Sequence, residues 1–364
     1  MSSIQEVAKK AGVSTATVSR TFSAPNLINA LTQKRVLEAA EQLNYQPRRQ
    51  RVSSVTQRTT AAASNAIGFQ FFGATSSDTL QSNTFYAPML AGAQAEASTL
   101  GMHLLVHATD RHSLSVELPK MVLDRFVGGM LLVGTADPAI LSTFAAHVPH
   151  IVLVDNRDAT GAYESVVSDG FGGAFAATQY LLRLGHRRIA YFLSEPGVVT
   201  FQDRLHGYCC ALWEAGIAPD TSLIIMDDTV DASTRHLSQL LTAAAAPTAL
   251  LTANDWCALS AMRVCRDVGR RIPDDISLIG FDDISLSMHT DVPLTTVRVD
   301  KELMGRLAVR RLCAQMQAAA GANSASSLPG ETPICNQVPV SLIVRASCRA
   351  IADVGHAVTH CKTL

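Results

Sequence analysis

From Ala66 onward the sequence alternates short apolar runs with helix-like stretches, and this alternation restricts the fold more than any other feature. The runs over 66–72, 103–106, 129–133, 150–155 and 165–167 form one set, with a helical stretch over 86–100 inside it. A second set occupies 188–193, 223–226, 249–252 and 276–280. Strands buried on both faces read as continuous apolar runs, and their alternation with helices predicts parallel sheets. Two successive sets predict two α/β lobes, with a ligand cleft where the carboxyl ends of their strands face each other. A chain of 364 residues is long enough for more than one core. None of its apolar runs approaches the roughly 18 to 20 residues that cross a bilayer.

The first sixty residues follow a different pattern. Ile4, Val7, Ala8 and Ala11 share one face of a short helix. Gly12 can take the positive φ that ends a helix, Val13 can plug the core, and Ser14 can cap the next helix. That helix, from Thr15 to about Phe22, turns Val18 inward and leaves Thr15, Ala16, Thr17, Ser19 and Arg20 outside. Asn29 can cap a third helix with Val36, Ala40 and Leu43 on its inner side, ending near Asn44 and Pro47. Two helices joined by a glycine turn and closed by a third describe a helix-turn-helix, an all-α DNA reader. Its chemistry fits: Arg20 can bond guanine O6 and N7 together, Thr15 and Ala16 offer a hydroxyl and small methyls, and Thr17 and Ser19 can hold phosphates. Residues 1–60 carry nine basic groups against three acidic ones, a net +6 that leaves −7 for the rest of the chain. A basic head on an acidic body implies a polyanionic partner for the head.

The run Ile4-Gln-Glu-Val-Ala-Lys-Lys-Ala-Gly-Val-Ser-Thr-Ala-Thr-Val-Ser-Arg20 resembles the opening of the LacI/GalR family of bacterial transcription regulators. Arg35-Val-Leu-Glu-Ala-Ala40 and Asn44-Tyr-Gln-Pro47 resemble its third helix and exit. The resemblance puts Thr15, Ala16 and Arg20 on base-reading positions, with Ser14, Thr17, Ser19, Asn29, Arg48 and Arg49 as further DNA contacts. It runs on through Leu184-Gly-His-Arg-Arg-Ile-Ala190, Thr252-Ala-Asn-Asp255 and Ile272-Pro-Asp-Asp-Ile-Ser-Leu-Ile-Gly-Phe-Asp-Asp283, about 330 to 340 residues in all. The body then resembles a periplasmic-binding-protein fold. The boundaries expected are a helix-turn-helix over 1–47, a hinge over 48–65, a two-lobed effector and dimerisation domain over 66–348 and a tail over 349–364. Lobe one takes about 66–166 and 298–328, lobe two about 167–297 and 334–348.

The hinge departs from the family. Relatives wedge a leucine into the minor groove there, whereas Ser54 stands at that position and the segment from Pro47 to Ile67 is about five residues longer. A smaller wedge from Val52 or Val55, binding by charge through Arg48, Arg49 and Arg51, and a plain linker all fit the residues.

For the effector, Asp155 and Asp282 each end an apolar strand, where a carboxylate can accept from adjacent hydroxyls. Arg204 supplies a planar donor partner, Asn254 can donate and accept, and Phe85 and Tyr86 can form an apolar platform for a sugar ring. Helix capping is the competing role for the strand-end residues, especially Asp255 and Asp283. A sugar or sugar acid is the leading effector and a purine or nucleoside the second. Val133 and Val299 replace residues that are often polar in sugar-sensing relatives.

The whole reads as an effector-controlled DNA-binding regulator, by its resemblance a repressor, and homodimeric because a symmetric pair of heads reads a pseudo-palindrome. The N-terminus lacks the apolar core of an export signal, which predicts a cytoplasmic protein. That also weighs against a transport receptor built on the same body. No cofactor, metal or catalytic set is expected: the glycines of 170–173 lack dinucleotide-loop spacing, and the eight cysteines contain no C-x-x-C pair. His186 reads as structural, and His356, His360 and Cys361 as part of the tail.

Overall fold

The computed structural model describes residues 4–23, 28–43, 65–73, 80, 83–110, 118–134, 138–193, 199–321 and 333–351. The chain divides into two units, 1–62 and 63–364.

In the first unit, α1 (Ile4–Ala11), α2 (Thr15–Ser23) and α3 (Ala30–Gln42) surround a small core of Val7, Ala8, Ala11, Val18, Val36, Ala39 and Ala40, with Val13 and Leu43 packed on it. Gly12 has φ +64° and closes α1. The Val13 N–H reaches the Ala8 carbonyl at 3.0 Å, and the Gly12 N–H reaches that of Lys9 at 3.4 Å. This two-bond closure pairs carbonyls that a helix end leaves without partners. The Arg35 guanidinium then donates to the Ala11 carbonyl at 2.6 Å, tying α3 to the same turn.

The second unit opens with β1 (Ala66–Gly73), α4 (Tyr86–Thr99), β2 (His103–Asp110), α5 (Lys120–Leu123), β3 (Met130–Val133), α6 (Pro138–Ala145), β4 (Ile151–Val154) and β5 (Glu164–Ser168). It continues with α7 (Gly170–Arg183), β6 (Ile189–Leu193), α8 (Val199–Glu214), β7 (Ile224–Met226), α9 (Val230–Thr242), β8 (Ala249–Thr252), α10 (Asp255–Asp267) and β9 (Ser277–Asp282). The last elements are β10 (Thr295–Val299), α11 (Lys301–Gly321), β11 (Cys335–Val338) and β12 (Val340–Ile343). The first sheet has the order β11-β5-β4-β3-β1-β2 and the second β12-β10-β9-β8-β6-β7. Among the described residues every strand pairing is parallel except that of β10 with β12. The fold is thus mixed α/β, as the alternation predicts.

The chain passes between the sheets three times: from β5 to α7, from β10 to α11, and from β11 to β12. These passages correct the lobe boundaries. Arg298 and Val299 pair with Asp282 of β9 and with β12, so they belong to the second sheet and not to lobe one. Conversely, Cys335 to Val338 pair with Ser165 to Ser168 in the first sheet, not in lobe two as the expected 334–348 boundary has it. β5 itself runs to Ser168, past the expected break at 166. Short apolar runs carry no label saying which sheet they join; hydrogen-bond pairing decides it.

Helix α11 returns to the first lobe by packing on α4. Glycine makes the approach possible: a Cβ on Gly305 would lie 2.0 Å from the Met89 carbonyl oxygen, and one on Gly92 would lie 2.1 Å from that of Glu302. Two buried carboxylates then fix the helix. Glu96 accepts from Arg310 at 2.7 and 3.1 Å, and Glu164 accepts from Arg311 and, at 2.8 Å, from Gln315.

Candidate DNA-reading face and effector cleft

In the first unit, α2 presents Thr15, Ala16 and Arg20 as exposed residues, with Thr17 half-buried. Ser14 caps the helix: its Oγ accepts from the Thr17 N–H at 3.1 Å and lies 2.9 Å from the Thr17 hydroxyl. Both side chains therefore take part in shaping the helix start as well as lying beside the exposed face. Asn29 caps α3, accepting from the Leu31 N–H at 2.9 Å. The side chain of Ser19, together with Arg48, Arg49 and the hinge, lies outside the described residues.

In the second unit, two of the strand-end residues expected at the effector site leave their strands in left-handed backbone. Asp155 follows β4 with φ +55°, and Asp282 ends β9 with φ +106°. The left-handed backbone is uncommon for a residue with a Cβ, and it turns each carboxylate out of its strand. Tyr86, in the first turn of α4, donates its hydroxyl to Asp155 Oδ2 at 2.8 Å. Arg204 of α8 donates to Asp282 Oδ1 at 3.1 Å and to the Ala253 carbonyl. The guanidinium also lies over the Phe281 ring, 3.8 Å from its centroid, a cation–π contact strengthened by burial. Phe85 and Tyr86 meet edge to face, ring centroids 4.9 Å apart. Phe85 is buried in the core while Tyr86 stays half-buried.

Burial dominates the electrostatics. Asp155 is pushed up to about 7 by loss of solvent, against the opposing pull of the Tyr86 hydroxyl and of Arg204. Asp282 is likewise raised by burial, which outweighs its ion pair with Arg204. Asp255 is raised to about 7, first by burial and next by Asp282. Its oxygens are taken by the Ile284 N–H at 2.8 Å and the Thr296 hydroxyl at 2.6 Å, so it acts as a brace beneath the site. Asp283 is a brace too, held by Arg298 and Arg345, each at 2.6 Å.

Asn254 stands beside Ala253, but its Oδ1 caps α10 by accepting from the Cys257 N–H at 2.8 Å. One of its polar groups is thereby committed to the helix. His186 bridges Thr248 and Ser277, each at 2.9 Å, a structural tie. Gly173 packs where a Cβ would meet the Phe281 ring at 2.8 Å. Among the described residues, no helix is long and apolar enough to cross a membrane.

Four buried side-chain atoms have no hydrogen-bond partner among the described residues: Thr84 Oγ1, Asp155 Oδ1, Ser168 Oγ and Arg204 Nε. Leaving such a group unpaired costs about 1–3 kcal/mol. Thr84 is two residues before Tyr86, and Ser168 ends β5, the strand beside β4. Sequence reasoning missed Thr84, Ser168 and Lys301. Ser168 was discoverable, since it ends an apolar strand as Asp155 does. Thr84 carries no comparable mark. Lys301 is buried at the start of α11, its Nζ donating to the carbonyls of Asp282, Asp283 and Val299.

Comparison with known proteins places these features in a family. Residues 3–48 match the model of bacterial regulatory proteins of the lacI family, and residues 178–348 match that of a periplasmic binding protein-like domain. The HTH-type transcriptional regulator CelR of Thermobifida fusca is 32% identical over 317 residues, covering 85% of this chain and 90% of CelR. The HTH-type transcriptional repressor PurR of Aliivibrio salmonicida is 29% identical, covering 86% and 91% of the two chains. Among solved structures, the CelR–cellobiose complex aligns with a TM-score of 0.67 at 28% identity, over 95% of this chain and all of that one. The lac repressor dimer bound to operator and the anti-inducer ONPF aligns with a TM-score of 0.64 at 27% identity, over 96% and 99%.

Proposed function

The chain belongs to the lacI family of bacterial regulatory proteins, and from that premise we propose that α2 reads operator DNA through Thr15, Ala16 and Arg20 while the cleft between the lobes takes a neutral sugar. Family membership makes it a DNA-binding transcriptional regulator controlled by a small molecule, not an enzyme and not a transport receptor. The lac repressor structure is a dimer bound to operator, and this chain acts in the same dimeric form.

The observation that carries the sugar reading is that Asp155 Oδ1 and Arg204 Nε are both buried without a partner among the described residues, in two residues close enough for the Arg204 charge to act on the Asp155 carboxyl. A hydroxyl both donates and accepts, so a polyol can satisfy a carboxylate oxygen and a guanidinium N–H together. Charge favours a neutral polyol over a sugar acid. Arg204 and Lys301 are the cations that act on the Asp155 and Asp282 carboxyls, and burial already raises Asp155, Asp255 and Asp282. The CelR structure, which holds cellobiose, supports the same class of effector.

The test is thermal melting of the full chain with neutral mono- and disaccharides including cellobiose, matching sugar acids, nucleosides and purines. A ligand that binds only the native state raises the melting temperature by mass action. A neutral sugar is expected to raise it, and Arg204→Ala to remove the rise. A response to sugar acids or purines alone overturns the neutral-sugar reading. Retention of the response in Arg204→Ala removes that residue from the site.

A further inference from the structure

We propose that Arg157 and Asp203 form a gate that holds the effector cleft closed. Arg157 follows Asp155 by two residues on the first lobe, and Asp203 precedes Arg204 on α8 of the second. The Arg157 guanidinium donates to Asp203 Oδ1 at 2.6 Å. Among the described residues it is the one ion pair that joins an element packed on the first sheet to an element packed on the second. All the others, including Arg204–Asp282, Arg310–Glu96 and Arg311–Glu164, stay within one lobe.

The backbone on each side is built to aim the pair. Asp155 turns through a left-handed conformation, and Asn156 Oδ1 accepts from the Arg157 N–H at 2.9 Å, fixing the residue that follows. On the other side, Gly170 lets α7 lie close to α8: a Cβ there would meet Asp203 Cβ at 3.4 Å and Arg204 Cγ at 3.3 Å. The side chains remain partly open to solvent, 38% for Arg157 and 16% for Asp203, whereas Arg204 is 2% exposed. The pair thus sits outside Asp155 and Arg204, at the rim and not in the floor. An effector has to part it to enter, and it closes again behind.

The proposal rests on reading this cleft as the effector site, but its test needs no effector, so the two can fail separately. Hydrogen exchange is measured on the full chain with peptides covering 151–157, 165–172, 199–206 and 279–284. Loss of a half-exposed ion pair is worth about a two- to fivefold change in equilibrium, and a reversed charge adds repulsion. Arg157→Asp and Asp203→Arg are each expected to speed exchange in those peptides about fivefold, with the strands 189–193 and 249–252 unchanged. The double swap is expected to return them to within about twofold of the wild type. Single reversals that leave the rim peptides unchanged, or a double swap that fails to restore them, overturn the gate. Should a reversal unfold the chain, Arg157→Gln decides. With the gate, high salt speeds rim exchange in the wild type and not in this variant; an equal response in both overturns it.

Discussion

Asp155 shows how far a single buried carboxyl shapes this protein's behaviour. An unfolded aspartate titrates near 3.8, while Asp155 in the fold is raised to about 7 by burial. Between those values the native state holds a proton that the unfolded state has lost. Stability therefore falls as pH rises through this window and is level above it. Asp155→Asn keeps the shape and removes the charge. It is expected to melt above the wild type at pH 8, with the gap closing toward pH 4, because a tenfold difference in proton affinity between folded and unfolded chain corresponds to about 1.4 kcal/mol. Equal melting at pH 8 contradicts the burial argument. The same carboxylate accepts sugar hydroxyls best when ionised, so affinity for the neutral sugar should rise as pH passes about 7, measured by titration calorimetry. At the other site, Arg20 is the exposed residue able to make two bonds to one guanine. Arg20→Ala is expected to cost about 1–3 kcal/mol per half-site and to relax choice at one base pair. Binding to a panel of operator variants checks this, and unchanged specificity removes Arg20 from the reading set.

Helices and strands succeed or fail here through close contacts as much as through propensity. Gly305 lies inside α11, where glycine costs roughly 1 kcal/mol relative to alanine in an isolated helix. Propensity alone predicts that Gly305→Ala stabilises. The 2.0 Å approach of its Cβ to the Met89 carbonyl argues the reverse, since backbone cannot swing aside as a side chain can. The expected result is a loss of roughly 1–3 kcal/mol, the usual scale of overpacking, read from the denaturant midpoint. A gain would mean that α4 and α11 can separate at little cost. The same clash distinguishes α11 from an ordinary surface helix. It is clamped to the first lobe by Glu96 and Glu164, yet its first residue, Lys301, holds the turn after β9 in the second. The helix is thus held at its start by one lobe and along its middle by the other.

At the scale of the whole molecule, regulation requires that effector and operator favour particular arrangements of the lobes and heads. The coupling is then reciprocal: whatever factor the sugar imposes on operator affinity, the operator imposes on sugar affinity. A coupling of about 1–3 kcal/mol is expected. It is checked by measuring sugar binding with and without operator and operator binding with and without sugar. Unequal factors would mean a third species, such as dissociated monomer, takes part. The sequence alone determined the broad plan. The glycine turn after α1, the outward face of α2, two runs of alternating strands and helices, and acidic residues at strand ends are all local properties. Each is written in a few consecutive residues, and each appears where the periodicity puts it. What only the tertiary structure decided is everything that depends on residues far apart in the chain. Pairing partners assigned β10 to the second sheet and β11 to the first, because neither strand's own residues favour one sheet over the other. Packing made Asp255 and Asp283 braces, held by Thr296, Ile284, Arg298 and Arg345. It also brought Lys301 to the carbonyls of Asp282 and Asp283 and set Arg157 against Asp203. The physical reason is range: hydrophobic period and backbone preference act over a few residues, whereas burial, charge pairing and sheet register arise when distant segments meet.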